Sequence, residues 1–480
     1  MGRLTFDIDA VIEGRARLTD AQAMEVYHGA SLHDLGRWAH ARTLAMHPED
    51  YRTYVIDRNI NYTNICTARC TFCAFKRNDK TAGDAYTLSH EAIYKKIEEL
   101  VSIGGTQILM QGGMNPDLGI EYYEGLLRGI REKFPTVHIH GFSPPEFVEF
   151  SRFFGMPVGE VLRRFKAAGL ATVPGGGGEI FGDRVRKRIG PGKCSGEAWL
   201  DVMSEAHKLG MNTSVTMLIG HIEDMSDRVD HMKRVRERQD WALAHKAAHG
   251  GEGGSYTAFI HWTYQPDNTP LDRKRKWKGE DLGAGSRKAG AGGATRNGFV
   301  FDEGRTVNLA DAAEYLRMLA LARLYFDNIK NLQSSWVTMG PKVGQLALFF
   351  GANDMGSVMM EENVVSSAGT TYRLDEAMIC RLIRDSGWVP CQRNQYYEVL
   401  KRHEGAGSPH LKERVPGKFG ARQHKITPEE AAAYKAAGVS GSVATGLTVA
   451  GKNVPLTVVK EEEVGDSLCC GSHPRVAESD

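Results

Sequence analysis

The sequence predicts an α/β protein built on a (β/α)8 TIM-like barrel, with N-terminal helices and a C-terminal extension. From about residue 54, short apolar segments rich in β-branched residues alternate with amphipathic helical segments. The alternation repeats eight times, and eight units are the number that closes a parallel barrel. The chain has 480 residues and is 41% apolar, which suffices for such a core. A doubly wound open sheet with added elements is the alternative.

The first element of the prediction is a helical segment over residues 1–50. Apolar residues recur at mostly helical spacing between Leu32 and Met46, although Arg42 interrupts that stripe. Strands are then expected at 54–61, 106–111, 136–142, 171–174, 212–219, 256–264, 332–338 and roughly 354–360. Short strands of this composition are typical of a buried parallel sheet.

Helices are expected between the strands, and several have recognisable ends. Ser89 and Ser195 are N-cap candidates that precede apolar faces with helical spacing. Gly169 and Gly210 follow such faces and supply the residue type that ends a helix. Residues 309–327 carry the strongest helical pattern in the chain.

Two segments, 244–254 and 267–306, interrupt the alternation and are rich in Gly, Lys and Arg. We interpret them as exposed insertions that flank the sixth strand. Past residue 397 the periodicity fades, and one short helical stretch follows Thr427. The sequence therefore predicts an N-terminal helical segment (1–50), the barrel (51–397) and a C-terminal tail or small appended element (398–480).

The overall charge excludes some classes of protein. With 60 Lys and Arg against 59 Asp and Glu, the net charge is +1, which argues against binding of nucleic acid or membrane through bulk charge. The positive run DRKRKWKGED is interpreted as a solvated loop. No apolar run approaches the roughly 18 residues of a membrane helix. The start of the chain carries acids and lacks a long apolar stretch, unlike a secretory signal. We expect a cytoplasmic protein.

The strongest chemical signal is a group of three cysteines. Cys66, Cys70 and Cys73 have the spacing C-x3-C-x2-C directly after the first predicted strand. Three thiolates are one ligand short of a closed zinc site or a fully ligated four-iron cluster. An iron without a fourth protein ligand can bind a small molecule, as a catalytic cluster requires. A zinc site completed by His90 or a distant cysteine, and incidental buried cysteines, are the alternatives.

The other cysteines are interpreted differently. Cys194, Cys380 and Cys391 are scattered along the chain and are taken as structural or incidental. Cys469 and Cys470 could bind a metal or a second cluster, but two adjacent cysteines cannot easily both bind one ion without backbone strain, so we favour a disordered terminus.

Polar residues and glycines collect at the predicted C-terminal ends of the strands, where barrel enzymes have their active sites. Strand two ends in Gln111, Gly112 and Gly113, and glycines there let the backbone approach a ligand closely. Four glycines, 175–178, follow strand four and are interpreted in the same way. Glu179, directly after them, is a candidate to bind a ribose or an amino group.

Two further groups of polar residues lie near strand ends. Alternation puts His138 and His140 on one side of strand three, facing either the lumen or the helices. Ser143 and Glu146 follow them. After Glu179 come the basic residues Arg184, Arg186, Lys187 and Arg188, one of which could pair with a carboxylate of the ligand.

These segments resemble a known enzyme family. The cysteine spacing, with Phe72 just before the third cysteine, resembles the signature of the radical S-adenosylmethionine (SAM) superfamily. Longer segments are similar to the menaquinone-biosynthesis radical SAM enzymes of the futalosine pathway: NINYTN, MQGGMNPDLGIEYYEGLLRGIREKFPTVHIHGFSPPE, PGGGGEI, AFIHWTYQPDNTPL and SSWVTMGPKVGQLALFFGANDMGSVMMEENVVSSAGT. The resemblance covers roughly residues 20–397, and the insertions and the tail depart from the family pattern.

The resemblance implies a barrel of the radical SAM type and two cofactors. One [4Fe–4S] cluster per subunit would be held by Cys66, Cys70 and Cys73, and its open iron would bind SAM. The residues expected to bind the cofactors are Phe72, Gln111, Gly112, Gly113, Ser143 and Glu179.

It further implies a cyclase that acts on dehypoxanthine futalosine. A 5′-deoxyadenosyl radical would remove the hydrogen at C4′ of the ribose, and the carbon radical would add to the benzoate ring. An external one-electron reductant of the flavodoxin or ferredoxin type would be the partner. The catalytic candidates are Glu179, Thr216, His261 and Asp354, among strand-end polar residues that also include Asn61, Thr63, Asn64, Gln265, Thr338 and Asn353.

Other activities fit parts of the same pattern. Aminofutalosine synthase and the deazaflavin-forming FO synthase subunit are near relatives, and the run GANDMGSVMMEENVVSSAGTT favours the cyclase over both. A protein of another class, a non-catalytic Fe–S electron carrier or sensor, would also carry cluster cysteines.

Overall fold

The computed structural model describes residues 4–273, 308–405 and 407–409, together with the backbone of short strands within 287–301 and 448–453. The helical stretch predicted after Thr427, the pair Cys469 and Cys470, and most of the 267–306 insertion lie outside the described residues.

The N-terminal segment is helical, as predicted: α1 (Ile8–Ile12), α2 (Asp20–Gly29) and α3 (Leu32–Met46). The side chains of Asp7, Thr19 and Ser31 cap these helices by accepting hydrogen bonds from first-turn N–H groups. Arg42, which interrupts the apolar stripe, is buried, and its guanidinium donates to the Ile12 carbonyl at 3.3 Å.

The strands follow in chain order: β1 (Tyr51–Val55), β2 (Asp57–Ile60), β3 (Gln107–Met110), β4 (His138–Gly141), β5 (Thr213–Ile219), β6 (Tyr256–Thr263), β7 (Arg287–Ala289), β8 (Gly293–Arg296), β9 (Phe299–Phe301), β10 (Asn331–Leu332), β11 (Asp354–Ser357), β12 (Val389–Arg393), β13 (Val399–Arg402), β14 (Thr448–Val449) and β15 (Lys452–Asn453).

Eight strand positions close into a parallel barrel. β1 and β2 are consecutive in the chain and together occupy the first strand position. β2 then pairs in parallel with β3, and β3 with β4. Parallel bridges at Thr172 and Val173 carry the sheet from β4 to β5, after which β5, β6 and β10 pair in parallel. A bridge between Gln333 and Asp354 joins β10 to β11, which pairs with β1. The predicted barrel is confirmed.

Helices surround this barrel: α4 (His90–Ser102), α5 (Ile120–Lys133), α6 (Pro144–Phe154), α7 (Val158–Ala168), α8 (Asp183–Ile189), α9 (Gly196–Lys208), α10 (Met225–Ala248), α11 (Pro270–Arg273), α12 (Ala312–Tyr325), α13 (Trp336–Ala347, kinked at Gly340) and α14 (Glu376–Asp385). Ser89 and Ser195 cap α4 and α9, as the sequence indicates. The hydrophobic core lies between the strands and these helices. No helix within the described ranges has the length and apolar character needed to cross a membrane.

Several elements differ from their predicted extents. The fourth predicted strand (171–174) is reduced to bridges at Thr172 and Val173, and the first (54–61) is divided into β1 and β2. The seventh strand is only Asn331–Leu332, because the chain turns into α13 at Trp336. The turn is held by the Ser335 N–H, which donates to the Tyr315 hydroxyl at 2.8 Å. Residues 244–248 of the first predicted insertion are not loop, because α10 continues to Ala248.

A C-terminal hairpin closes the N-terminal end of the barrel. β12 pairs in parallel with β1, and β13 pairs antiparallel with β12. From the connecting turn, Gln395 Nε2 lies 3.3 Å from His140 Nε2 on β4. The Tyr397 hydroxyl accepts a hydrogen bond from Gln333 Nε2 at 2.8 Å. The boundary suggested at residue 397 therefore falls inside this hairpin, and the tail that we predicted to begin at 398 starts with a strand of the barrel domain.

Candidate active site at the C-terminal mouth of the barrel

The three-cysteine segment is an irregular loop held by its neighbours. The N–H groups of Thr67, Arg69 and Thr71 donate to the carbonyls of Met114, Pro191 and Ile189 at 3.0, 2.8 and 2.7 Å. The Asn78 side chain donates to the carbonyls of Cys66 and Ala68, both at 2.7 Å. Because the loop lacks its own secondary structure, these bonds satisfy its backbone and fix its shape.

Cys66, Cys70 and Cys73 lie together in this loop. Cys70 is buried in a small apolar cluster with Ala68 and Met114, and Cys66, Cys73 and Phe72 pack against it. The six cysteines of the described residues are free thiols. Burial raises the pKa of the Cys70 thiol to about 12, and the nearby Lys193 ammonium opposes that shift.

This donor set fits an iron–sulfur cluster. Among the described residues, no group of three or more His, Cys, Asp or Glu converges to hold a single metal ion. A [4Fe–4S] cluster does not need such convergence, since each thiolate binds a different iron. Binding to iron also stabilises a thiolate that burial would otherwise destabilise by removing it from water.

A buried ion pair lies beside the cysteine loop. Lys193 Nζ donates to Glu179 Oε1 at 2.8 Å and lies 5.3 Å from the centre of the Phe72 ring. Arg186 Nη1 lies 3.7 Å from Glu179 Oε2. Although burial acts to lower it, the Glu179 carboxylate raises the pKa of Lys193. Glu179 itself has a left-handed backbone, with φ 35°.

The sequence identified Glu179 but missed Lys193. The sequence analysis singled out the basic residues of α8 instead, and in the structure these residues have different partners. Arg186 is buried beside Glu179, Arg184 pairs with Asp224 and Asp227, and Lys187 pairs with Asp183 at the surface. The available signal was the sequence GPGK at 190–193, which turns the chain back towards the cysteine loop.

The glycines after strand two are required by packing within the protein. A Cβ on Gly112 would lie 2.6 Å from the Tyr62 ring, and a Cβ on Gly113 would overlap the Ile65 carbonyl oxygen. The Gly113 N–H donates to the Thr63 carbonyl at 2.8 Å. These glycines therefore let strand two approach the loop that leads to Cys66.

The four glycines after strand four also pack against protein atoms. A Cβ on Gly175 would lie 2.6 Å from Val215 Cα, and one on Gly176 would overlap the Gln111 amide. Packing against protein atoms is enough to explain why these positions are glycine, so the space for a ligand that we inferred from the sequence is not needed to explain them. Their contacts bring the loop that ends in Glu179 against β5.

Ser143 positions a carboxylate beside strand two. Its hydroxyl and N–H donate to Glu146 Oε2 at 2.6 and 2.7 Å. Glu146 Oε1 accepts from the Tyr62 hydroxyl at 2.6 Å and from the Gly112 N–H at 3.1 Å. Burial raises the pKa of Glu146. The predicted cofactor-binding role of Ser143 remains a proposal, because its hydroxyl is used in this network.

Alternation along β6 separates the lumen from the helix layer. The His261 ring stacks on Tyr315 of α12, with centroids 4.6 Å apart, and Phe259 also faces the helices. Ile260 and Trp262 consequently face the lumen. Both are only half-buried although β6 is a central strand, so they line accessible space.

Two catalytic candidates lie away from this space. His261 is fully buried against α12, and burial lowers its pKa to about 3. Asp354 is also fully buried, and it forms a bidentate ion pair with Arg393 at 2.6 and 2.9 Å while accepting from Thr53. We assign neither a catalytic role, because both side chains are buried and bonded to protein atoms away from the accessible lumen. The sequence could not show which face of each strand turns inward or which residues pair there.

The other predicted polar residues divide between the lumen and structural bonds. Thr216 is half-buried and donates its hydroxyl to the Gly175 carbonyl at 2.6 Å. His138 and His140 both hydrogen-bond the Thr172 hydroxyl at 2.7 Å, below the mouth. Each of the remaining candidates hydrogen-bonds neighbouring protein atoms: Asn61, Thr63, Asn64, Gln265, Thr338 and Asn353.

Two family models match the chain. Residues 60–235 match the radical SAM superfamily, and residues 299–405 match the CofH/MqnC C-terminal region. The second match covers β11 and the hairpin that closes the barrel.

Curated relatives extend over most of the chain. It is 40% identical to the cyclic dehypoxanthine futalosine synthase of Halalkalibacterium halodurans, over 83% of this chain and 96% of that protein. The enzyme of the same name from Streptomyces coelicolor is 39% identical over 85% and 93%. A 5-amino-6-(D-ribitylamino)uracil–L-tyrosine 4-hydroxyphenyl transferase of Methanopyrus kandleri is 36% identical over 73% and 85%.

Solved structures support the fold. Methylornithine synthase (PylB) aligns with a TM-score of 0.56 at 17% identity, over 80% of this chain and 96% of that one. The FeFe-hydrogenase maturase HydG of Carboxydothermus hydrogenoformans aligns with a TM-score of 0.54 at 15% identity, over 81% and 79%. With relatives at 39–40% identity across nearly their full length, the chain belongs to the cyclic dehypoxanthine futalosine synthase family of radical SAM enzymes.

Proposed function

We propose that the protein converts dehypoxanthine futalosine to cyclic dehypoxanthine futalosine in menaquinone biosynthesis. The observation that carries this proposal is 40% identity over 96% of a cyclic dehypoxanthine futalosine synthase. The free thiols of Cys66, Cys70 and Cys73 at the barrel mouth support it.

The cofactors would be held at this mouth. The three thiols fit three irons of a [4Fe–4S] cluster, which leaves one iron for SAM. When bound, the cluster and SAM supply one electron and a 5′-deoxyadenosyl radical, the acceptor for the hydrogen at the ribose C4′. An external one-electron reductant of the flavodoxin or ferredoxin type must supply that electron.

The Glu179–Lys193 pair would orient SAM. The amino acid end of SAM carries an ammonium and a carboxylate, which complement the carboxylate of Glu179 and the ammonium of Lys193. Both side chains are largely buried beside the cysteine loop, where such bonds are strong. Lys193 would thereby bind and position SAM.

The lumen would hold the substrate away from water. Ile260 and Trp262 offer apolar surface, and an aromatic ring packs well against such side chains. The C-terminal hairpin closes the opposite end of the barrel. Exclusion of water protects a carbon radical from side reactions and keeps C4′ in place beside the acceptor.

One anaerobic assay tests the proposal. The protein is reconstituted with iron and sulfide, reduced with dithionite, and incubated with SAM and dehypoxanthine futalosine. We expect a product lighter by two hydrogens and free 5′-deoxyadenosine, both measured by mass spectrometry. Turnover of 5-amino-6-(D-ribitylamino)uracil with L-tyrosine, and none of the futalosine, would instead assign the transferase activity.

A further inference from the structure

Two segments of the chain form one surface around the cysteine loop. Residues 66–80 contain the loop, and residues 183–193 pack onto it. The N–H groups of Arg69 and Thr71 donate to carbonyls of Pro191 and Ile189. Thr67 and Arg69 within the loop are exposed, so the three cysteines lie close to solvent on this side. We refer to residues 66–80 and 183–193 as the cysteine-side surface.

This surface concentrates positive charge. Its two segments contain nine Lys and Arg and two Asp. Five carboxylates from other segments also pair with these cations, namely Asp84, Asp117, Glu179, Asp224 and Asp227, which leaves an excess of two positive charges. The surface is therefore basic by about two charges, in a molecule whose net charge is +1. A local excess of this kind attracts oppositely charged partners and speeds their association.

Several of these cations point outwards. Lys187 is 76% exposed and Lys80 is 63% exposed, each beside a single exposed carboxylate, Asp183 and Asp117. Arg69 is also exposed. Others serve the interior, since Arg186 and Lys193 face Glu179. The outward group has no role in the site described above.

The position of the charge indicates its use. Nucleic acid or an anionic membrane would meet a basic surface anywhere on a protein, but an electron donor has to approach the cluster. Here the basic surface surrounds the one described loop with three cysteines. A partner that docks through it would therefore bring its redox group next to the thiols.

We propose that the cysteine-side surface is the docking site of a small acidic one-electron carrier protein. The inference rests on the proposed function, in which each SAM cleavage consumes one electron. In that step the carrier is oxidised by one electron, the sulfonium C–S bond breaks, and methionine and the 5′-deoxyadenosyl radical are formed. Docking by charge places this delivery under the control of ionic strength.

Binding can be measured without turnover. Oxidised flavodoxin is titrated calorimetrically into the reconstituted enzyme at about 0.05 M and about 0.5 M salt, between which screening of exposed charges becomes strong. We expect the Kd to rise at least about tenfold with salt and about tenfold in the Lys80→Glu, Lys187→Glu double variant. Asp183→Asn should lower it, because it removes the only acid of α8.

A matched control separates local from overall charge. Arg37 and Arg128 are 72% and 61% exposed, and each also lies beside one carboxylate. They lie on α3 and α5, outside the cysteine-side surface. Arg37→Glu combined with Arg128→Glu changes the net charge equally and should shift the Kd less than about twofold. Equal effects of the two double variants, or no salt dependence of the wild-type Kd, would overturn the docking site.

Activity assays distinguish this inference from the function itself. Dithionite is a small diffusible reductant that needs no docking, so the Lys80→Glu, Lys187→Glu variant should retain dithionite-driven turnover. Turnover driven by reduced flavodoxin should fall about tenfold at low carrier concentration. If dithionite yields no product even with the wild type, the proposed function fails. If both reductants support the variant equally, only the docking proposal fails. If the variant loses its cluster absorbance, the docking proposal is judged from the wild type alone: a Kd that rises with salt supports it, and a Kd independent of salt overturns it.

Discussion

Cys70 combines two properties that a cluster ligand needs and a structural cysteine does not. It is buried, and burial raises its pKa to about 12, so without a metal the thiol stays protonated at neutral pH. It also lies near Cys66 and Cys73 and within the field of Lys193. Cys380 and Cys391 are buried as well, in α14 and β12, and burial raises the pKa of each to about 11. Neighbouring sulfurs therefore distinguish the ligand set, whereas a nearby cation does not, since Arg384 and Arg402 act on Cys380 and Cys391 in the same way.

Replacing any of Cys66, Cys70 or Cys73 by Ala is expected to abolish SAM cleavage, because two thiolates cannot hold the cluster and leave one open iron. Formation of 5′-deoxyadenosine after anaerobic reconstitution measures the effect. Cys194→Ser is the control and should retain activity within about twofold, since its side chain lies outside the trio. Turnover by any of the three alanine variants with a loaded cluster would contradict the ligand assignment.

Gly113→Ala tests whether the glycine serves packing. The added Cβ overlaps the Ile65 carbonyl, one residue before Cys66, so we expect a loss of about 1–3 kcal/mol in unfolding free energy and lower iron content. Gly29→Ala, at a helical site with free space, should instead be neutral or stabilising by up to about 1 kcal/mol. Urea unfolding and iron analysis provide the two readings. Equal stability of both variants would refute the packing explanation.

At the scale of elements, the loop after β11 is fixed by charge onto the first strand and α4. Glu361 accepts from Lys96 Nζ at 2.8 Å and from Arg58 Nε at 2.7 Å, and all three are buried. Asn363 then donates to Asn61 Oδ1 at 3.2 Å. Because Asn61 also donates to the Gln111 carbonyl, these bonds connect the loop to strand two at the barrel mouth. The sequence of the loop did not indicate these contacts, because their partners are distant in the chain.

The Glu361 pair predicts a pH dependence of stability. Although burial opposes it, Lys96 and Arg58 lower the pKa of Glu361 to about 2, below the roughly 4.5 of an unfolded Glu. The stabilisation is therefore complete above pH 4.5 or so and lost as the pH falls towards 2. Glu361→Gln should cost on the order of 3 kcal/mol at pH 7, from urea unfolding, and progressively less below about pH 4.5. Glu98→Gln, on the exposed side of α4, should show neither effect, and a cost that is independent of pH would contradict the assignment.

At the scale of the whole molecule, the C-terminal hairpin covers the N-terminal end of the barrel. β12 lies beside β1, while Arg393 reaches Asp354 on β11 and Gln395 reaches His140 on β4. The hairpin thereby contacts strands on different sides of the lumen. With this end closed, the ligand-accessible opening is the mouth that carries the cysteines and the Glu179–Lys193 pair.

Arg393→Met tests this closure. Removal of the cation leaves Asp354 buried and unpaired, so we expect a loss of about 3–5 kcal/mol in unfolding free energy. Adding Asp354→Leu should recover part of that loss, because both buried charges are then absent. Arg402→Met, which breaks an exposed pair with Asp50 in the same hairpin, should cost far less. Chemical unfolding under anaerobic conditions compares the three, and equal costs for Arg393 and Arg402 would argue against the buried pair.

The sequence by itself determined the eight-fold alternation, the N-terminal helices, the caps at Ser89 and Ser195, and the cysteine trio. These features depend on residues close together in the chain, where periodicity and spacing are direct consequences of backbone geometry. Only the tertiary structure decided that Lys193 pairs with Glu179 across α8, that His261 faces the helices, and that Asp354 belongs to the barrel closure. Those outcomes depend on which strand face turns inward and which distant segments meet, and both are set by packing of the whole barrel.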